Sequence, residues 1–485
     1  MLKGKGPAAR EENSAPLPAT AARPRSITME RNLTTGSVWK SVLSFSLPYL
    51  FSYFLQTLYG MADLFIIGQY EGVASTTAVS VGSQVMHMLT VMLVGLAMGA
   101  TVSIGHAVGA GDRQRTAADI GNTVTLFTAV SLVLTVGLLF LVRPIVAVMS
   151  TPQQAVEGTV AYLTVCFIGV PFITAYNVLS SIYRGLGDSR SPMYFIAVAC
   201  AANIGLDYLF IGVLGLGPVG AALGTTVSQA VSVAAALFAM HRRHTGVPLQ
   251  KSDFKPRRPV MGQILRIGVP VALQDGLIQI AFILITIIAN RRGLIDAAAV
   301  GIVEKIICFL FLVPSSMLST VSALGAQNIG AGREDRARQT LRYAIYIAAG
   351  FGLVCGIFMQ FFSGQVVALF TDPADPAGAE AVRLGGEYLR GYIWDCLFAG
   401  IHFSFSGYFC ACGRSGLSFL HNILAIVLVR VPGAYLTSIY FPETLYPMGL
   451  STSAASLVSV IICVVAYLII TRRPRTAQTG GSHGT

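Results

Sequence analysis

Twelve long apolar runs dominate the sequence, at 39–68, 76–104, 119–142, 159–183, 193–214, 219–240, 263–290, 297–325, 340–362, 386–411, 417–440 and 448–471. A bilayer core about 30 Å thick needs roughly 20 apolar residues per helix, so every run is long enough to cross one. Several are longer and are expected to tilt, kink or project beyond the bilayer. Pro48 and Pro270 fall inside the first and seventh runs. Each removes a backbone donor, and Pro48 in particular is expected to let its helix bend. Only 11% of the residues are charged, under half the share of about 25% found in soluble domains. The alternating ten-residue strands of a membrane barrel are absent. The fold class expected is an all-α integral membrane protein with twelve transmembrane helices.

The loops between the runs divide by charge. One set holds Arg113, Arg115, Arg184, Arg190, Arg242, Arg243, Lys251, Lys255, Arg257, Arg258, Arg333, Arg336, Arg338 and Arg414, and both terminal segments are basic too. The opposite set holds Arg143, Arg291, Arg292 and Arg383 with Glu71, Asp372, Asp375, Glu380 and Glu443. Positive loops mark the cytoplasmic side, which puts both termini in the cytoplasm and the chain in the plasma (inner) membrane. The net charge of +11 is thereby accounted for by orientation. The expected partners are the lipid bilayer and small organic substrates, with no nucleic acid, and the chain is expected to be a monomer. Residues 1–37 lack an apolar signal-peptide core and read as a disordered tail, with Met29 as an alternative start. The eight cysteines read as free thiols acting as small hydrophobes.

The chain also repeats itself. Gly105-His106-Ala107-Val108-Gly109-Ala110-Gly111 follows the second run, and Ala326-Gln327-Asn328-Ile329-Gly330-Ala331-Gly332 follows the eighth, 221 positions later. Pro48 and Pro270 recur at nearly the same offset, and Gly187-Asp188-Ser189-Arg190 pairs with Gly413-Arg414-Ser415-Gly416. Six spans per half is an even number, so the halves are parallel. That gives two six-helix lobes related by a pseudo-twofold axis along the membrane normal, a transporter architecture. The boundaries expected are a tail over 1–37, an N-terminal lobe over 38–241, a basic linker over 242–262, a C-terminal lobe over 263–471 and a tail over 472–485.

Leu47-Pro48, the run from Gln56 to Gly68, the doubled Gly-Ala-Gly turns and Arg184-Gly185-Leu186-Gly187-Asp188-Ser189-Arg190-Ser191-Pro192 resemble the multidrug and toxic compound extrusion (MATE) transporters of prokaryotic type. The resemblance covers about 38–471. It implies twelve helices in two lobes around a central cavity, with efflux driven by inward Na⁺ or H⁺ and no cofactor. His106 stands where the family commonly has the Gln that Gln327 supplies in the second repeat, and is read as a variation in loop packing.

Seven charged residues lie well inside the runs: Asp63, Asp207, Asp275, Glu304, Lys305, Asp395 and Arg430. A charge at the bilayer centre costs about 2.5–3.5 kcal/mol on insertion scales, so each is expected to face a cavity or a partner. Ser52, Gln56, Tyr59 and Asp63 share one helical face, as do Asn203 with Asp207 and Thr225 with Gln229. The resemblance implies that Asp63, Asn203, Asp207 and Thr225 form an N-lobe cation site. Carboxylate, amide and hydroxyl oxygens suit a hard cation, and a pair of carboxylates equally suits a shared proton. Sequence leaves Na⁺ and H⁺ both open. Candidates for the substrate cavity are Gln56, Tyr59, Asn177, Gln229, Asp275, Asp395 and His402. Arg430 is expected to pair with Asp395 or Glu304.

The function expected is therefore secondary active antiport of organic, cationic or amphiphilic compounds by alternating access. A lipid or lipid-linked saccharide flippase of related fold is the alternative, disfavoured because the buried charges are mainly acidic. No phosphate-binding G-x-x-x-x-G-K-[ST] loop or zinc-binding H-E-x-x-H motif occurs, and no enzyme is expected.

Overall fold

A computed structural model of the chain describes residues 33–242 and 247–472. Most of both tails, and part of the linker, lie outside the described residues. Within them the chain is helical, without strands. The first half comprises α1 (Val38–Tyr70), α2 (Val73–Gly109), α3 (Arg113–Val148), α4 (Val156–Ile168), α5 (Val170–Gly185), α6 (Arg190–Asp207) and α7 (Gly217–Arg242). The second comprises α8 (Arg258–Arg292), α9 (Leu294–Leu310), α10 (Leu312–Gly330), α11 (Glu334–Ala368), α12 (Pro376–Tyr392), α13 (Trp394–Ala411), α14 (Ser415–Ala425), α15 (Val431–Tyr440) and α16 (Tyr446–Arg472).

Ten segments are long and apolar enough to cross a membrane, and α4 with α5 forms an eleventh, bent by 47°. The remaining apolar run expected from sequence falls on α12 and α13, which meet at Ile393. The first turns of α12 carry Glu380 and Glu387, both accepting from Arg383, which lowers its apolarity. Several helices run past the apolar runs, and a polar, capped start explains this for α3. Asp112 accepts from Arg115 N at 2.9 Å and starts α3 well before its apolar run. Pro48 lies inside α1, which is helical on both sides of it.

Each half packs its own core. Phe127, Tyr176, Tyr183 and Phe195 lie in the first, and Met359, Tyr388, Leu389 and Tyr392 in the second. The two lobes meet at the end that carries the arginine-rich turns, called the basic end below. There Met98 and Val102 of α2 pack on Ile267 and Val271 of α8, and Val42, Phe45 and Tyr49 of α1 pack on Phe405 and Phe409 of α13. Tyr53 Oη lies 2.8 Å from Ser319 Oγ across the same boundary.

The repeat read from sequence is a repeat of structure. Gly111 has φ +70° and Gly332 has φ +71°, left-handed values that glycine takes without strain. The turns they form are alike: Asp112 N donates to Ala107 O at 3.1 Å, and Arg333 N to Asn328 O at 2.8 Å. The equivalent residues Gly105 and Ala326 face each other. A side chain at Gly109 would strike Gln327 O, and one at Gly330 would strike His106 O. Such reciprocal crossing is the mark of a twofold axis passing between α2 and α10.

The linker is docked rather than loose. Asn122 of α3 donates to Asp253 O at 3.1 Å and accepts from Arg257 N at 2.6 Å, and Thr125 donates to Phe254 O at 2.8 Å. One loop charge also sits differently from the expectation. Arg184 is buried near the end of α5, with its guanidinium 4.3 Å from the centre of the Tyr49 ring, where stacking replaces the water it gives up.

Candidate functional site

Three helices of the first lobe bring four polar side chains together. Asp63 comes from α1, Asn203 and Asp207 from α6, and Thr225 from α7. Helical spacing explains the pairing on α6, since positions four apart stand one above the other. Asp63, Asn203 and Asp207 are 3%, 1% and 0% exposed. Thr225 Oγ1 donates to Asp63 Oδ2 at 3.1 Å, and Asp207 and Asn203 are the other polar neighbours of that carboxyl. Asp207 ends the α-helical part of its span, and a π-helical turn, Tyr208–Val213, follows at once. Such turns recur at functional sites because they re-aim side chains.

The cluster is under-satisfied. Asp63 Oδ1, both oxygens of Asp207 and both polar atoms of Asn203 are buried without a well-formed hydrogen bond. Among the described residues, neither aspartate takes part in an ion pair. Two uncompensated carboxylates beside orphaned oxygens are costly. Such a set fits a hard cation or a proton, either of which supplies the missing positive charge.

The second lobe differs. Asp395 is completely buried, and Arg430 Nη2 donates to its Oδ2 at 2.9 Å and to Ser456 Oγ at 3.1 Å. Of the two partners expected for Arg430, the structure selects Asp395. Glu304 instead accepts from Thr286 Oγ1 at 3.2 Å. Arg430 closes another π-helical turn, Ile426–Arg430, in the fifth span of its half. The fifth span thus carries an unpaired acid in one lobe and a paired base in the other.

The family model MatE matches residues 48–209 and 270–436, one stretch in each lobe and more than half of the chain. The chain belongs to the MATE family. The "Probable multidrug resistance protein YoeA" of Bacillus subtilis is 27% identical over 449 residues, which is 91% of this chain and 96% of that protein. The "Multidrug export protein MepA" of Staphylococcus aureus is 25% identical over 437 residues, or 89% and 94%. A solved structure titled "Crystal structure of MATE in complex with MaL6" superposes with TM-score 0.84 at 23% identity, covering 93% of this chain and 99% of that one. That is a likeness of fold. This MATE protein is therefore a multi-pass membrane transporter and not an enzyme.

The remaining candidates are dispersed within the MATE fold. Gln56 and Tyr59 lie part-buried on the face of α1 that leads to Asp63, and Tyr59 packs against the first-lobe core. Gln229 is buried with Oε1 unpartnered. Asn177 spends a donor on Ile173 O at 2.9 Å. Asp275 sits at the lobe boundary against Gly95 of α2. His402 is buried, its ring centre 5.3 Å from that of His421. Sequence reasoning missed Gly224, next to Thr225. A Cβ there would collide with Asp207 Oδ1, so its bareness lets Asp207 reach the cluster. It also missed Ser456, the second acceptor for Arg430. Neither has a local signature, because each depends on which helix lies opposite.

Proposed function

We propose that this chain is a secondary active antiporter that exports organic, cationic or amphiphilic compounds in exchange for inward Na⁺ or H⁺. The observation that carries the reading is the unneutralised pair Asp63 and Asp207, set beside Asn203 and Thr225, in contrast to Asp395, whose charge Arg430 already balances. The printed names of the relatives, a multidrug resistance protein and a multidrug export protein, agree with efflux. The basic end is taken as cytoplasmic by the positive-inside rule, with both termini cytoplasmic in the plasma membrane and lobes over 38–241 and 263–471. Asp63 lies seven residues before the end of α1 at the opposite, external end, about 10 Å along the axis, within reach of an external ion.

The cycle follows from differential affinity, since a ligand shifts only states it binds unequally. Substrate enters between the lobes from the cytoplasm, against a wall that includes Gln56, Tyr59 and Gln229. The lobes rock, an external cation settles on Asp63 and Asp207, and bending of α1 at Pro48 displaces the substrate. One charge entering down 100 mV releases about 2.3 kcal/mol, and a tenfold ion gradient adds about 1.4 kcal/mol. Together they sustain a several-hundredfold gradient of neutral substrate without nucleotide hydrolysis. The test is a fluorescent cation in proteoliposomes with imposed Na⁺ or pH gradients. Asp63→Asn and Asp207→Asn are each expected to abolish gradient-driven transport while leaving downhill leakage. Retained coupling in both variants would sink the assignment.

A further inference from the structure

The paired turns at the basic end carry a matched pair of side-chain hydrogen bonds. His106, in the last turn of α2, sets Nε2 2.8 Å from the carbonyl oxygen of Ala411, the final residue of α13. Gln327, its counterpart 221 positions later in α10, donates Nε2 at 2.9 Å to the carbonyl oxygen of Gly185, the final residue of α5. Each bond runs from the second helical span of one lobe's half to the end of the fourth span of the other. Both acceptors are helix-terminal carbonyls, which lack an intrahelical partner and carry the negative end of the helix dipole. Gln327 is 1% exposed. The His106 ring borders an inter-lobe cleft of about 630 Å³ that also includes Gln263, Arg266, Cys412 and Arg414.

We propose that His106 and Gln327 are positioning residues of the transport cycle: two symmetry-related latches that hold the basic end shut while the opposite end is open. The proposal rests on the alternating-access reading above. Parting the lobes at this end must break both bonds and leave two helix ends and a buried amide in need of water. Two hydrogen bonds bias the balance between states without locking it, as a transporter requires. The arrangement also corrects the reading of His106 as a variation in loop packing. Imidazole Nε2–H and amide Nε2–H are donors of similar reach, so either residue closes a latch. The charged groups around His106 are Arg115 on α3 and Arg266 and Arg414 in the cleft. A carbonyl oxygen only accepts, so Nε2 carries the proton in this bond.

Cys412 reports on the latch. It follows Ala411 directly and lines the inter-lobe cleft, and burial pushes its thiol up to about 11, so it reacts slowly while the lobes are closed. The full chain in lipid nanodiscs, without substrate or ion gradient, is treated with a maleimide, and labelling of Cys412 is followed by peptide mass spectrometry. Gln327→Glu, equal in size but unable to donate as a carboxylate, and His106→Ala are each expected to raise the initial rate several-fold. His106→Gln is expected to match the native rate. Native rates in Gln327→Glu and His106→Ala, or a His106→Gln protein that labels like His106→Ala, would overturn the proposal. Cys166 and Cys463, fully buried within the lobes, report unfolding. Should His106→Ala label there too, His106→Asn, with a shortened amide, takes its place under the same expectation. The assay uses no coupling ion, so a latch that behaves as expected while Asp63→Asn and Asp207→Asn still couple would remove the ion site and leave the latch.

Discussion

Gly224 shows what a single missing side chain can control. Asp207 approaches the backbone of α7 so closely that even a methyl group at position 224 would meet its Oδ1. Gly224→Ala would push the carboxyl away from Asp63 and Asn203, at an overpacking cost of about 1–3 kcal/mol. The expected result is a Na⁺- or H⁺-driven efflux rate reduced about tenfold or more, equivalent to roughly 1.4 kcal/mol of lost ion binding, with the protein still membrane-inserted. Transport at several ion concentrations in proteoliposomes checks this. An unchanged ion dependence would mean that Asp207 has no part in binding. The contrast with Asp63, Asn203, Asp207 and Thr225 is instructive at this scale. Polar groups in apolar helices stand out, and a four-residue spacing puts Asn203 and Asp207 on one face; that Asp63 and Thr225 join them is what the family resemblance implies. Gly224 is unreadable because nothing within its own helix says that Asp207 lies opposite. Arg184 misleads for the same reason: its place near a span end suggests a loop charge, but Tyr49 from another helix covers it.

Elements were legible where apolar length alone decides them, and less so where a helix breaks or a loop docks. The hinge between α4 and α5 at Gly169 lies within one continuous apolar run, so periodicity does not reveal it. The linker is the clearest case. Sequence marks it only as a basic connection, and its docking goes unread: backbone groups of Asp253 and Arg257 are held by the buried Asn122 side chain of α3. An amide that binds backbone from both its ends is a rigid clamp, and its removal leaves the buried Asp253 carbonyl unsatisfied, at about 1–3 kcal/mol, and frees the Arg257 N–H. Asn122→Ala is therefore expected to release residues 250–257 from α3 without disrupting either lobe. Limited trypsin digestion in nanodiscs should then cut after Lys251 and Arg257 several-fold faster than in the native protein. Equal cleavage rates would show that Thr125 and the neighbouring packing hold the linker without Asn122.

For the whole molecule, duplication underlies the architecture, and the two lobes diverge in their buried charges. The near-identical turns at Gly111 and Gly332 and the reciprocal approach of Gly109 and Gly330 preserve the pseudo-twofold axis. The buried charges have not kept that symmetry: the first lobe leaves Asp63 and Asp207 uncompensated, and the second ties Asp395 to Arg430. On the antiporter reading proposed above, the imbalance marks the first lobe as the one that takes the ion. The imbalance works only if the Asp63 end faces the outside, from which the driving ion comes. That orientation rests on the arginine-rich turns, and it can be measured directly. Ala374 lies exposed between α11 and α12 at one end, and Asp335 lies exposed in the first turn of α11 at the other. A membrane-impermeant maleimide applied to intact cells is expected to label Ala374→Cys, and to reach Asp335→Cys only after the membrane is permeabilised. The reverse pattern would place Asp63 near the cytoplasmic face, and inward ion flow could no longer load the site before substrate leaves.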